Sequence, residues 1–159
     1  MLQSLILVLS LTSAAAGAAS PCELPSSDEV ERVLGGAIVA VPASEIGEES
    51  APSCLWATAG RGAQVKLTIW SQDELPVVSV PDAATYFLKL HADAAAGGRV
   101  MPLAGLGERA FAADLNPKAS GKADGSIVVL KGGRVIVFDF TDVISRDAQA
   151  FAGLVAGRL

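Results

Sequence analysis

A chain of 159 residues holds one domain with a real core and is too short for two. Its formal charge of −5 provides no basic field, which argues against nucleic acid or an anionic membrane as a partner. Two cysteines and one histidine are too few soft ligands for a structural zinc site, so neither a metal nor a cofactor is expected.

The opening stretch MLQSLILVLSLTSAAAGAAS has no charged side chain, runs apolar from Leu5 to Leu11 and ends in small residues. An apolar centre followed by a small-x-small site is the layout of a secretory signal peptide, although the usual basic residues ahead of the apolar run are missing. Residues 1–19 are therefore expected to be removed, leaving a single domain over 20–159, periplasmic or secreted from a bacterial cell. Without its Ala/Gly/Ser tail the apolar run is shorter than the ~20 residues that span a bilayer, so no stable membrane anchor is expected. Lipidation at Cys22 is disfavoured by Pro21, which fixes φ and removes a backbone donor where a peptidase would bind an extended segment. In an exported chain Cys22 and Cys54, the only two cysteines, are most simply a disulfide, and closing the loop between them is worth roughly 3.5–4 kcal/mol.

Ser26-Ser27-Asp28-Glu29 reads as a capping box at the head of a short helix, with Val30, Val33 and Leu34 on one stripe and Gly35-Gly36 as its stop. Strands are predicted over 37–43, 54–58 and 63–71, with an acidic loop after the first. The register across the AGRG turn puts Cys54 and Trp56 on one face with Val65, Leu67 and Ile69, and turns Lys66, Thr68 and Trp70 to the other. A second helix is predicted over 79–98, capped by Ser79 and Asp82, with Ala83, Phe87, Leu90 and Ala94 on its stripe. Short strands follow at 100–103 and 108–115, then a loop, NPKASGKADG, whose length and composition predict mobility. IVVLKGGRVIVFDF is a hairpin about Gly132-Gly133, and a closing helix begins at Ser145, placed to cap it. Antiparallel strands joined by hairpins, with the helices gathered on one side, make an α+β two-layer fold.

In the Gly132-Gly133 hairpin, pairing Lys131 with Arg134 sets Ile127, Val129, Ile136, Phe138 and Phe140 on one face and Val128, Leu130, Val135 and Val137 on the other. The bulkier set is expected against the helices. The second set, joined by Trp70, is an apolar patch on the face that should meet water, and so a candidate binding patch. The competing expectation is that the 113–126 loop or the chain near the leader covers it.

A cysteine before a short S/T-x-x-E helix (Cys22, Ser26 to Gly35), a Cys-x-Trp strand (Cys54-Leu55-Trp56), a Gly-Leu-Gly-acid-x-Ala-Phe turn (Gly105 to Phe111) and a Val-Leu-Lys-Gly hairpin (Val129 to Gly132) occur together here. In these features the chain resembles small exported bacterial proteins of unknown function, often lipoproteins, with a PsbP-like α/β sandwich. The resemblance implies the same Cys22–Cys54 disulfide and supplies no catalytic residue; Pro21 is where this chain departs from the lipoproteins.

Signals for chemistry are weak. His91 is the only side chain that titrates near neutrality without help, and it falls at the edge of a helical stripe beside Phe87. Glu45, Glu48 and Glu49, or Asp114-Leu115-Asn116, lack the ligand number calcium needs. Gly105-Leu106-Gly107 leads into a strand, unlike a phosphate loop. The expected function is a non-catalytic exported domain that binds a protein partner or a small apolar ligand. The alternatives are a hydrolase with a scattered Ser/His/Asp site around His91, and a secreted inhibitor or structural subunit that presents the 114–126 loop.

Overall fold

The computed structural model describes residues 20–42, 51–60 and 62–159. The leader, its cleavage site, and Glu45, Glu48 and Glu49 lie outside the described residues. Helix α1 spans Ser27–Leu34 and starts as its sequence demands: Ser26 Oγ accepts from Glu29 N–H at 3.4 Å, and the Glu29 carboxylate accepts from Ser26 N–H at 2.8 Å. Gly35 ends it at φ 74°, a left-handed stop that favours glycine. A short 3-10 turn, Pro21–Glu23, precedes it and carries Cys22, which is bonded to Cys54 across a Cα separation of 5.2 Å. The start of the domain is thereby tied to its sheet, as cysteine count and the need for an oxidising compartment predict.

The strands are β1 Ile38–Pro42, β2 Ser53–Thr58, β3 Gln64–Trp70, β4 Val100–Pro102, β5 Arg109–Ala113, β6 Ala123–Lys131 and β7 Arg134–Val143. They form one antiparallel sheet in the order β1-β2-β3-β7-β6-β5-β4. Two meanders, one of three strands and one of four, join where β3 pairs with β7. The β6–β7 hairpin has the predicted register, with Lys131 opposite Arg134 and Gly132 and Gly133 both at positive φ, as a two-residue turn of this hand requires.

Helix α2 spans Ala83–Gly97 and helix α3 spans Ser145–Gly157. Among the described residues no helix is long and apolar enough to cross a membrane. The α+β antiparallel class is the expected one, but the helices are shared between two faces rather than gathered on one. Helices α1 and α3 cover Trp56, Val65, Leu67, Ile127, Ile136, Phe138 and Phe140, the bulkier set. Phe151 of α3 stands edge-on to both Phe138 and Phe140. Helix α2 lies on the opposite face, over Trp70, Phe111, Val128, Leu130 and Val135. Topology is the reason: β3 ends in the middle of the sheet and β4 begins at its far edge, so the connection must travel across one face, and a helix with an apolar stripe buries that face as it goes.

Local signals shift the ends of these elements. Asp82 alone caps α2, accepting from Thr85 N–H at 2.7 Å, while Ser79 sits at φ 58° closing a 3-10 turn at Leu75–Val78. Ser145 does not cap α3: its hydroxyl donates to the Leu115 carbonyl at 3.1 Å, a partner far away in sequence. The 116–125 connection, expected to be mobile, is tied by Lys118 to Asp124, by Lys122 Nζ to Asp142 at 2.6 Å, and by Asp142 N–H to Asp124 at 2.8 Å.

The two ends of the domain meet at Glu29. The Arg158 guanidinium forks onto both carboxylate oxygens at 2.6 and 2.8 Å and also donates to the Leu24 carbonyl. The Arg158 fork first, and the Ser26 N–H second, hold Glu29 near a pKa of about 2, against an ordinary 4.5. A carboxyl whose folded pKa is lowered contributes stability that is present above its unfolded value and is lost as pH falls through the folded one. Glu29→Gln should therefore cost about 1 kcal/mol in urea unfolding at neutral pH, an upper figure for a half-exposed bidentate pair. The difference from the parent should close as pH falls from about 4.5 toward about 2. Equal stability at neutral pH would show that the fork does not hold the two ends together.

Candidate functional site

Strand alternation sorts the second face of the sheet into rows that run across it. One row is Ser53, Thr68, Val137, Val128 and Phe111, taken from β2, β3, β7, β6 and β5. The next is Leu55, Lys66, Asp139, Ser126 and Ala113 from the same strands. On the other side lie Trp70, Val135 and Leu130. The face thus grades from apolar to polar within three rows, and α2 is placed over only part of it.

Ala83, Tyr86 and Phe87 are the buried residues of α2. Tyr86 meets Trp70 edge to face at 5.1 Å, and Phe87 meets Phe111 the same way at 5.3 Å. The Arg109 guanidinium of β5 lies over the Phe87 ring, 5.2 Å from its centre, and adds a cation to this stack. At its far end the helix is held to β5 by Asp114, whose backbone N–H donates to the Arg99 carbonyl at 3.0 Å and whose carboxylate accepts from Arg99 N–H at 3.1 Å. Asp114 is committed to this backbone link. A Cβ at Gly98 would stand 2.2 Å from that carboxylate, so the link depends on a glycine there.

Between α2 and the strands it leaves uncovered runs a groove of about 360 Å³, toward the lower end of the ~300–1,000 Å³ typical of small-molecule sites. Trp70, Phe111, Val128 and Val137 form its apolar floor, and Tyr86, Leu90 and Ala94 form the α2 wall. Lys66, Ser126 and Asp139 form its polar end, where Ser126 Oγ donates to the Asp139 carboxylate at 2.5 Å. Ser53 and Thr68 lie between, both buried. Burial is the main cause that raises the Tyr86 phenol above its ordinary pKa, with the Asp139 charge adding to it.

The expected patch is therefore not an open surface. Trp70, Val128, Leu130 and Val135 are buried and Val137 is half-buried. Among the described residues the cover is α2, with Leu75 and Ala51 beside it, and not the 113–126 loop or the chain near the leader. The patch divides: Leu130 and Val135 belong to the core beneath α2, while Trp70, Val128 and Val137 reach the groove. Ser53, Tyr86, Phe111, Ser126 and Asp139 also line the groove and are not among the candidate residues of the sequence. Ser53 could have been, because Cys54 faces α1 and α3 and its neighbour must face the other way.

His91 is exposed on α2 and packs edge-on against Phe111 at 5.1 Å, outside the groove lining. Among the described residues no three His, Cys, Asp or Glu side chains gather in a way that could hold a metal ion. Gly105 and Gly107 belong to the turn between β4 and β5. No protein family, no characterised protein and no solved structure matches this chain.

Phe111 carries the docking of α2, since it is fully buried and touches both Phe87 and His91. Phe111→Ala is expected to cost about 3–4 kcal/mol. Amide exchange should quicken in α2 well before α3, and equal loss of protection in the two helices would show that α2 is not separately anchored.

Proposed function

We propose that the chain is an exported, non-catalytic binding domain whose groove between α2 and the sheet holds a small amphipathic molecule. The observation that carries this reading is the groove itself: an apolar floor of Trp70, Val128, Val137 and Phe111 that runs into the polar group of Lys66, Ser126 and Asp139. A pocket that is mostly apolar with a few placed polar groups is the usual form of a small-molecule site. The binding reading is favoured over a hydrolase centred on His91 because that ring is exposed, lies outside the groove lining and packs against the apolar Phe111.

Export is part of the proposal. It is supported by the Cys22–Cys54 disulfide, which belongs in a compartment where thiols oxidise, and by the signal-like leader. Kinship with PsbP-like exported proteins is also part of it, and rests on the disulfide, the Gly105 to Phe111 turn and the antiparallel sheet.

The test is a titration of the mature domain with anilinonaphthalene sulfonate, an amphipathic dye, read by dye emission and by energy transfer from tryptophan. One dye per domain is expected, and Val137→Lys, which sets a charge on the groove floor, should weaken binding at least tenfold, about 1.4 kcal/mol or more. A folded Val137→Lys variant that binds the dye as the parent does would overturn the reading.

A further inference from the structure

Ser53 Oγ is the one buried side-chain polar atom, among the described residues, without a hydrogen-bond partner. Ser53 is 6% exposed, begins β2 opposite Thr68 of β3, and lines the groove. Its position explains why it has no partner within the sheet. On the β3 side backbone carbonyls are taken up by the ladder, and the facing side chain in its row is Thr68, itself followed by the apolar Val137 and Val128. A buried hydroxyl left unpaired carries a penalty that alanine at the same place would avoid, and a hydrogen-bonding group brought into the groove would relieve it.

Resting on the reading of the groove as a binding site, we infer that Ser53 Oγ is its specificity-determining anchor, donating a hydrogen bond to a carbonyl or carboxylate oxygen of the bound molecule. The apolar body of such a molecule, a chain or ring, lies along Val137 and Val128 toward Trp70 and Phe111. The polarity of the corner favours an acceptor as head group. The Asp139 carboxylate already accepts from Ser126 Oγ, and Lys66 in the neighbouring row contributes positive charge. A head group that is only a donor can use the serine oxygen but meets the lysine charge beside it.

Two probes of equal chain length separate these cases: octanamide, with a carbonyl head, and octylammonium, with donors only. In displacement of anilinonaphthalene sulfonate from the mature domain, octanamide is expected to compete at roughly tenfold lower concentration, the worth of one buried hydrogen bond. Ser53→Ala should lose most of that preference and melt no lower than the parent, because the hydroxyl it removes has no partner in the unliganded fold. Ser53→Thr should keep the preference. A Ser53→Ala variant that retains the full preference, or one that melts well below the parent, would overturn the inference while dye binding leaves the groove reading intact. Failure of the parent domain to bind the dye would overturn both.

Discussion

Strand β7 is apolar on both sides. Ile136, Phe138 and Phe140 face one way and Val135 and Val137 the other, and the neighbouring β6 repeats the pattern with Ile127 and Val129 against Val128 and Leu130. A sheet of this kind needs cover on both faces, whereas an ordinary one-sided antiparallel sheet can leave one face to water. Helices α1 and α3 together cover the side that carries the phenylalanines. On the other side the described residues supply one helix, α2, with Leu75 of the 3-10 turn before it, and a helix about ten ångströms wide cannot cover seven strands. The groove follows from that shortfall: beyond α2 the face turns polar at Ser53, Thr68, Lys66, Ser126 and Asp139, where water or a ligand can meet it.

The same division explains why the ends of the chain are fastened so heavily. Helix α1 is short, and its isolated stability is small. It is held by its capping box, by the disulfide just ahead of it, and by the Arg158 fork that ties it to the end of α3. Lys131 adds a further link, donating to the Ala156 carbonyl at 2.7 Å and so joining the β6–β7 hairpin to the same helix. These ties all lie on the α1/α3 side. Helix α2 is held by apolar and aromatic packing, by Arg109 over Phe87 and by the Asp114 link, with no covalent tie or bidentate ion pair among the described residues, which makes the groove wall the less firmly fastened part of the domain.

Features set by neighbours in sequence were legible before the structure. The Ser26–Glu29 capping box, the Gly132-Gly133 hairpin with its register, the facing of Lys66, Thr68 and Trp70, and the Cys22–Cys54 bond all follow from local pattern or from the cysteine count. What was not legible depends on which distant strands meet. The stripe of Ala83, Phe87 and Leu90 announces that α2 has an apolar side, but its destination is decided by β3 pairing with β7, a contact between residues far apart in the chain. For the same reason Ser145 spends its hydroxyl on Leu115 instead of its own helix. The apolar patch was readable as a set of residues; that a helix would divide it into core and groove was not.

The placement of α2 opposite α1 and α3 is the claim on which the groove, and every reading of it, depends. Through-space proton NMR contacts of the Tyr86 ring in the mature domain test it directly. The account predicts contacts from Tyr86 to the Trp70 indole, whose ring centre lies 5.1 Å away. Contacts from Tyr86 to Phe138, Phe140 or Phe151 instead would put α2 on the same face as the other helices and contradict it.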